Sequence, residues 1–181
     1  YIRKLFKSKY GKNIMNFELI YNNFFIILTG LDETLKLVVI SLSLGFIISI
    51  PFSLARSSSI KILSKSVYYY IFIIRGTPLL VQIYLIYYGL GTIQFVRESI
   101  LWIILKEPFF CGILALVINT VAYTTEIFRG GIESITKGQI ESCKSLGMSK
   151  TTMYLKIILP CAFRQALPGY GNEMILMVKS T

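Results

Sequence analysis

Three stretches of the chain run without a charged side chain for long enough to cross a lipid bilayer: Leu37–Leu54, Gly76–Val96 and Pro108–Thr125. At about 1.5 Å per residue each covers roughly 27–31 Å, the thickness of the hydrocarbon core. A fourth begins late. Between Arg164 and Lys179 the only charge is Glu173, and Met174–Val178 is wholly apolar. One such run could be a buried core helix, but three in so short a chain cannot all be covered by protein. The pattern predicts an all-α, polytopic helical membrane protein, with spans at about 37–54, 76–96 and 108–127 and a truncated one from about 170.

Local signals refine these elements. Thr77 is a good N-cap for the second span, with Pro78 at the first helical position, where its missing N–H costs nothing. Before it, Ile60–Ile74 mixes Lys61 and Lys65 with Val67, Tyr68, Ile71 and Phe72, as in an amphipathic helix at the membrane interface. This places Arg75 near the headgroups. Tyr68, Tyr69, Tyr70, Tyr84, Tyr87 and Tyr88 supply the rings that favour bilayer edges. Pro51, Pro78, Gly89 and Gly91 are read as shaping helices.

Composition agrees. Of 181 residues 54% are hydrophobic and 15% charged, against about a quarter charged in soluble domains. The net charge of +10 would suggest nucleic acid in a soluble protein, but a bound duplex leaves the apolar runs unexplained. With no histidine the chain lacks the commonest zinc ligand and neutral-pH general base, which removes metalloenzyme and histidine-dependent hydrolase readings; no metal, cofactor or catalytic residue is assigned. Cys111, Cys143 and Cys161 are odd in number and widely spaced, and read as small, reduced thiols.

Placement of the cations gives the orientation. Arg56, Lys61, Lys65 and Arg75 follow the first span; Arg129, Lys137, Lys144, Lys150, Lys156 and Arg164 follow the third. These ten of 19 basic residues lie on one side, which the positive-inside rule makes the cytoplasm. The intervening loop balances Arg97 and Lys106 with Glu98 and Glu107. The same assignment puts the tail cations Arg3, Lys4, Lys7, Lys9 and Lys12 outside, against the rule.

The segment from Phe128 to about Pro168 is too patterned for a simple loop. Gly130 and Gly131 are expected to end the third span, and Gly138 to break the chain again. A helix over Gln139–Leu146 carries Glu141 in its first turn, where the dipole favours an acid, and Gly147 serves as its C-cap. A second helix, Lys150–Leu159, is stopped by Pro160. The result is a compact cytoplasmic knob, suited to docking a partner or else an ordinary solvated connection.

The knob's spacing resembles the cytoplasmic signature of ABC importer permeases. That signature is Glu-Ala-Ala, three residues, Gly, nine residues and I-x-L-P; here it reads Glu141-Ser142-Cys143, Gly147 and Ile157-Ile158-Leu159-Pro160. Ser142 and Cys143 replace the alanines, small for small. Arg75–Gln82, Asn119–Phe128 and Ala166–Met177 are similar to the polar amino-acid branch, of the histidine/lysine/arginine/ornithine and arginine types. The likeness runs over 29–181, and 1–28 is left as a tail or amphipathic segment.

This resemblance implies a type I importer permease of five spans with an external N-terminus, its last one or two spans beyond Thr181. It implies a multi-pass bacterial inner-membrane subunit that moves basic or polar L-amino acids inward. Its partners would be a second permease subunit, two ABC ATPase subunits and a periplasmic or lipoprotein binding protein. Glu141, Ser142, Cys143, Leu146, Gly147, Ile157, Leu159 and Pro160 would couple the knob to the ATPase. The chain has no GxxxxGK[ST] loop, so ATP hydrolysis would belong to the partner.

Ionisable groups within a membrane are expensive and usually functional. Glu126 and Glu173 are therefore candidates for pairing a cationic substrate, with the amides of Gln82 and Asn119 taking further hydrogen bonds. Equally, Glu126 could pair with Arg129 one turn on, and the amides could bind helix to helix. Glutamine- or cystine-type substrates, or a non-transport membrane assembly role, are the alternatives that the sequence leaves open.

Overall fold

A computed structural model describes residues 17–100 and 102–181, and every regular element among them is helical. In chain order these are α1 (Phe17–Arg56), α2 (Lys61–Arg75), α3 (Leu79–Tyr84), a π-helical turn (Leu85–Gly89) and α4 (Leu90–Thr92). There follow α5 (Gln94–Arg97), α6 (Trp102–Leu105), α7 (Pro108–Glu133), α8 (Lys137–Ser145), α9 (Lys150–Met153), a second π-helical turn (Tyr154–Ile158) and α10 (Leu159–Ser180). The five tail cations lie outside the described residues. The chain divides into two units at Lys36 and Leu37. In the first, Lys36 pairs on an exposed face with Asp32 at 2.6 Å and Glu33 at 3.1 Å.

The second unit is built around α7. Pro108 sits in its first turn, and a run of small residues lets neighbours approach closely. Ala115, Ala122, Thr124 and Thr125 are fully buried. A Cβ at Gly45 of α1 would lie 2.6 Å from Thr120 of α7, and one at Gly131 would lie 2.5 Å from the Ala162 carbonyl of α10. Val38 and Leu42, Leu116 and Met177 then join α1, α7 and α10 in one apolar cluster. Phe46, Phe128, Phe163 and Tyr170 form a second junction of the same helices, ring centroids 4.9–6.4 Å apart.

Two helices are long and apolar enough to cross a membrane, Leu28–Arg56 and Pro108–Glu133. The straight span expected over Gly76–Val96 is absent. Instead α2 and Leu79–Thr92 meet at 101°, as one broken span or a re-entrant loop. At about 1.5 Å per residue Leu79–Thr92 covers only roughly 21 Å. The helix then ends, because Ile93 is extended. Of the expected interfacial helix, α2, Val67 and Ile71 are buried against Ala122, with Phe52 and Ala55 alongside, while Ile62, Phe72 and Ile73 are exposed. α10 carries Arg164, Glu173 and Lys179, and falls short of a span by composition.

The glycine and proline punctuation also reads differently in three dimensions. Gly130 and Gly131 do not end α7, which continues to Glu133, and Gly138 lies inside α8. Since α8 begins at Lys137, Glu141 is past its first turn. Pro160 stops nothing. The π-helical turn Tyr154–Ile158 precedes it, and Pro160 sits in the first turn of α10, where its missing N–H is tolerated.

Candidate functional site

The elbow between α2 and α3 leaves carbonyl groups at the end of α2 without their regular helical donors, and the side chains of Gln82 and Thr77 supply donors to them. Gln82, buried in α3, directs its Nε2 to Ile74 O at 2.7 Å, Thr77 O at 3.1 Å and Thr77 Oγ1 at 2.8 Å. Thr77 is thus no side-chain N-cap. The cap position of α3 is Pro78, and the Thr77 hydroxyl lies within 3.0 Å of Ile73 O and 3.2 Å of Ile74 O. The remaining amide oxygen of Gln82 accepts from Asn119 Nδ2 of α7 at 3.1 Å. Gly76 allows this tight turn, as a Cβ there would meet Phe72 O at 2.8 Å.

The elbow, α7 and α10 enclose a partly open cavity of about 510 Å³. Its polar wall holds Arg75 and Thr77 from the elbow, Asn119 and Tyr123 from α7, and Glu173 from α10. The Arg75 guanidinium stands over the Tyr123 ring, 4.9 Å from its centroid, a cation–π contact that aims the charge along the wall. Glu173 is 8% exposed and has no hydrogen bond or ion pair among the described residues. A single cation, a buried carboxylate and an amide therefore share one apolar chamber. That chemistry suits a small zwitterion with a basic end.

Of the four pathway candidates, Asn119 and Glu173 line this cavity and Gln82 lies directly behind Asn119. Glu126 is elsewhere. Its Oε2 accepts from Arg129 Nε at 2.8 Å, and its Oε1 faces Arg56 Nε at 3.6 Å, too long for a hydrogen bond. Arg129 also pairs with Glu133. Arg56 donates to Ser64 Oγ at 3.0 Å and lies over Tyr68, so the set ties the α1–α2 turn to the end of α7. Arg75, Thr77 and Tyr123 were not among the sequence candidates. A cation directly abutting a charge-free run at Gly-Thr-Pro was the signal that could have found Arg75.

The knob is a well-specified element. Thr136 and Gln139 form a reciprocal capping box at the start of α8, and Ser149 caps α9 by accepting from Thr152 N–H. Gly147 has φ +72°; its N–H donates to Lys144 O at 2.9 Å, while Met148 N–H donates to Cys143 O at 3.1 Å. This is a complete Schellman ending. Cys143 is buried with Met153 and Ile158, and Ile157 packs against them. Glu141, Ser142, Leu146 and Gly147 face outward, with Leu146 80% exposed; Leu159 is half-buried and Pro160 exposed.

Comparison with known proteins places this architecture. A family model described as "Binding-protein-dependent transport system inner membrane component" matches residues 41–181. The chain is similar to the nopaline transport system permease protein NocM of Agrobacterium fabrum, 49% identical over 92% of this chain and 70% of that one. It is likewise similar to the arginine ABC transporter permease protein ArtM of Haemophilus influenzae, 41% identical over 86% of this chain and 68% of the relative. A crystal structure of an amino acid ABC transporter with histidines aligns with TM-score 0.78 and 38% identity, covering 91% of this chain and 73% of that one. The chain thus spans about two thirds of the length of these curated relatives.

Proposed function

The chain belongs to the family of inner-membrane components of binding-protein-dependent transport systems, and on that premise we propose that it is a permease subunit of an ATP-driven importer for basic amino acids and their guanidino derivatives. The observation that carries the substrate class is the cavity with Arg75, Asn119 and Glu173 on one wall. Arginine and nopaline, named for the two relatives above, share a guanidino group and a carboxylate. Arg75 offers a partner for the carboxylate. Glu173 and Asn119 offer acceptors for the cationic end.

Within this reading the domain runs over 29–181 and the protein is multi-pass in a bacterial inner membrane. A second permease subunit completes the path, a binding protein delivers substrate, and two ATPase subunits supply the energy. The knob docks in the ATPase, with Glu141, Ser142, Leu146 and Gly147 at the contact. Cys143, Ile157, Leu159 and Pro160 hold its shape behind them. Closure of the ATPases then moves packed helices as rigid bodies.

Radiolabelled arginine uptake into proteoliposomes containing the assembled complex tests the reading. Glu141→Ala and Gly147→Ala are expected to abolish uptake while the subunit stays in the membrane. Glu173→Gln is expected to lower arginine uptake at least tenfold. A wild-type complex that brings down no ATPase from detergent, or uptake undiminished in all three variants, overturns it.

A further inference from the structure

The hydrogen bonds around Gln82 form a directional chain. Three oxygens of the elbow (Ile74 O, Thr77 O and Thr77 Oγ1) lie within 3.1 Å of one end of its amide. The two carbonyl oxygens can only accept, so that end of Gln82 must be Nε2 and the other end Oε1. Oε1 in turn can only accept, so the end of Asn119 that meets it at 3.1 Å must be Nδ2. This leaves Asn119 Oδ1, which has no hydrogen-bond partner among the described residues, as a free acceptor on the cavity wall shared with Glu173.

We propose that Gln82 is a positioning residue for the substrate site: it reads the elbow carbonyls and locks the Asn119 amide with its oxygen as the acceptor for a cationic substrate group. The inference rests on the transport reading above and adds what sets the site's polarity. Without Gln82 the Asn119 N–H group has no acceptor behind it, so the amide favours the reverse orientation, presenting N–H donors to a guanidinium or ammonium group that has only donors of its own. The elbow thereby does two things with one side chain. It satisfies the carbonyls that the bend exposes, and it transmits their polarity, through two amides, to the cavity.

Binding of tritiated arginine to the assembled complex in nanodiscs, without binding protein, reads this as a double-mutant cycle. Gln82→Met is expected to weaken arginine binding about tenfold, the loss of one charge-assisted hydrogen bond. Asn119→Asp presents an oxygen whichever way it turns. In the Gln82→Met background it should restore binding to within about twofold of wild type. In the wild-type background it should not tighten binding, because its second oxygen faces Gln82 Oε1. An additive cycle, with the same effect of Asn119→Asp in both backgrounds, would mean that Gln82 matters only to the elbow, and the proposal falls. Should Gln82→Met not assemble, Gln82→Asn, whose amide is one methylene too short to bridge the elbow carbonyls and Asn119, takes its place in the cycle with the same expectations. A wild-type complex that neither binds nor takes up arginine sinks the transport reading as well, whereas wild-type binding with an additive cycle removes only the positioning role.

Discussion

A Cβ at Gly131 would stand 2.5 Å from the carbonyl oxygen of Ala162, closer than real side chains come to backbone. Neither α7 nor α10 can yield at that point without moving a helix, since Ala162 is itself buried. Gly131→Ala is therefore expected to cost about 1–3 kcal/mol, seen as a lower unfolding temperature of the detergent-solubilised protein. Its neighbour is the control. Nothing lies within 4 Å of a Cβ at Gly130, so Gly130→Ala should be neutral or stabilise by up to about 1 kcal/mol through helix propensity. Equal losses in the two variants would remove the close approach as the reason for Gly131.

The same glycines show why punctuation misleads in this kind of chain. The apolar pattern located α7 and the second half of α1, because a run of 18 or more uncharged residues leaves a helix few alternatives, but it missed the charge-bearing first half of α1, Phe17 to Lys36. Punctuation placed the end of α8 and the Gly147 turn to within a residue, since a positive-φ glycine is local chemistry, but set the start two residues late at Gln139 and missed the Thr136 cap. It failed at Gly130, Gly131 and Pro160, where packing and a π-helical turn override the breaker. The 101° elbow was also illegible, because its partners Gln82 and Asn119 are 37 residues apart.

Pro160 makes the point testable. Within a regular helix its ring would clash with the carbonyl four residues earlier, and the π-helical turn Tyr154–Ile158 opens the backbone just ahead of it. Pro160→Ala removes that constraint and supplies an N–H. It is expected to raise the unfolding temperature while uncoupling the knob from α10, so that ATP-driven uptake falls although the complex assembles. Unchanged uptake would show that the turn exists independently of the proline.

Across the whole molecule, two carboxylates that look equivalent as intramembrane acids stand in opposite environments. Glu126 sits between Arg56 and Arg129 and helps hold the α1–α2 turn against α7. Its side chain is 19% exposed and those of the two arginines 23% and 25%. The pairing should therefore lie between surface and buried ion pairs in worth, and Glu126→Gln should cost about 1–3 kcal/mol of stability. Adding Arg56→Met should recover part of that loss, since it removes a cation left without its acid. Glu173 is more deeply buried, yet has no ion-pair or hydrogen-bond partner among the described residues. Holding an unpaired carboxylate there opposes folding, and a neutral isostere relieves it. Glu173→Gln is accordingly expected to leave the unfolding temperature of the complex unchanged or higher while arginine uptake drops, and Glu126→Gln to lower the unfolding temperature first. Thermal unfolding and uptake measured on the same preparations separate the two acids. If Glu173→Gln destabilises the complex as much as Glu126→Gln does, the buried carboxylate is a structural partner rather than a group kept free for a ligand.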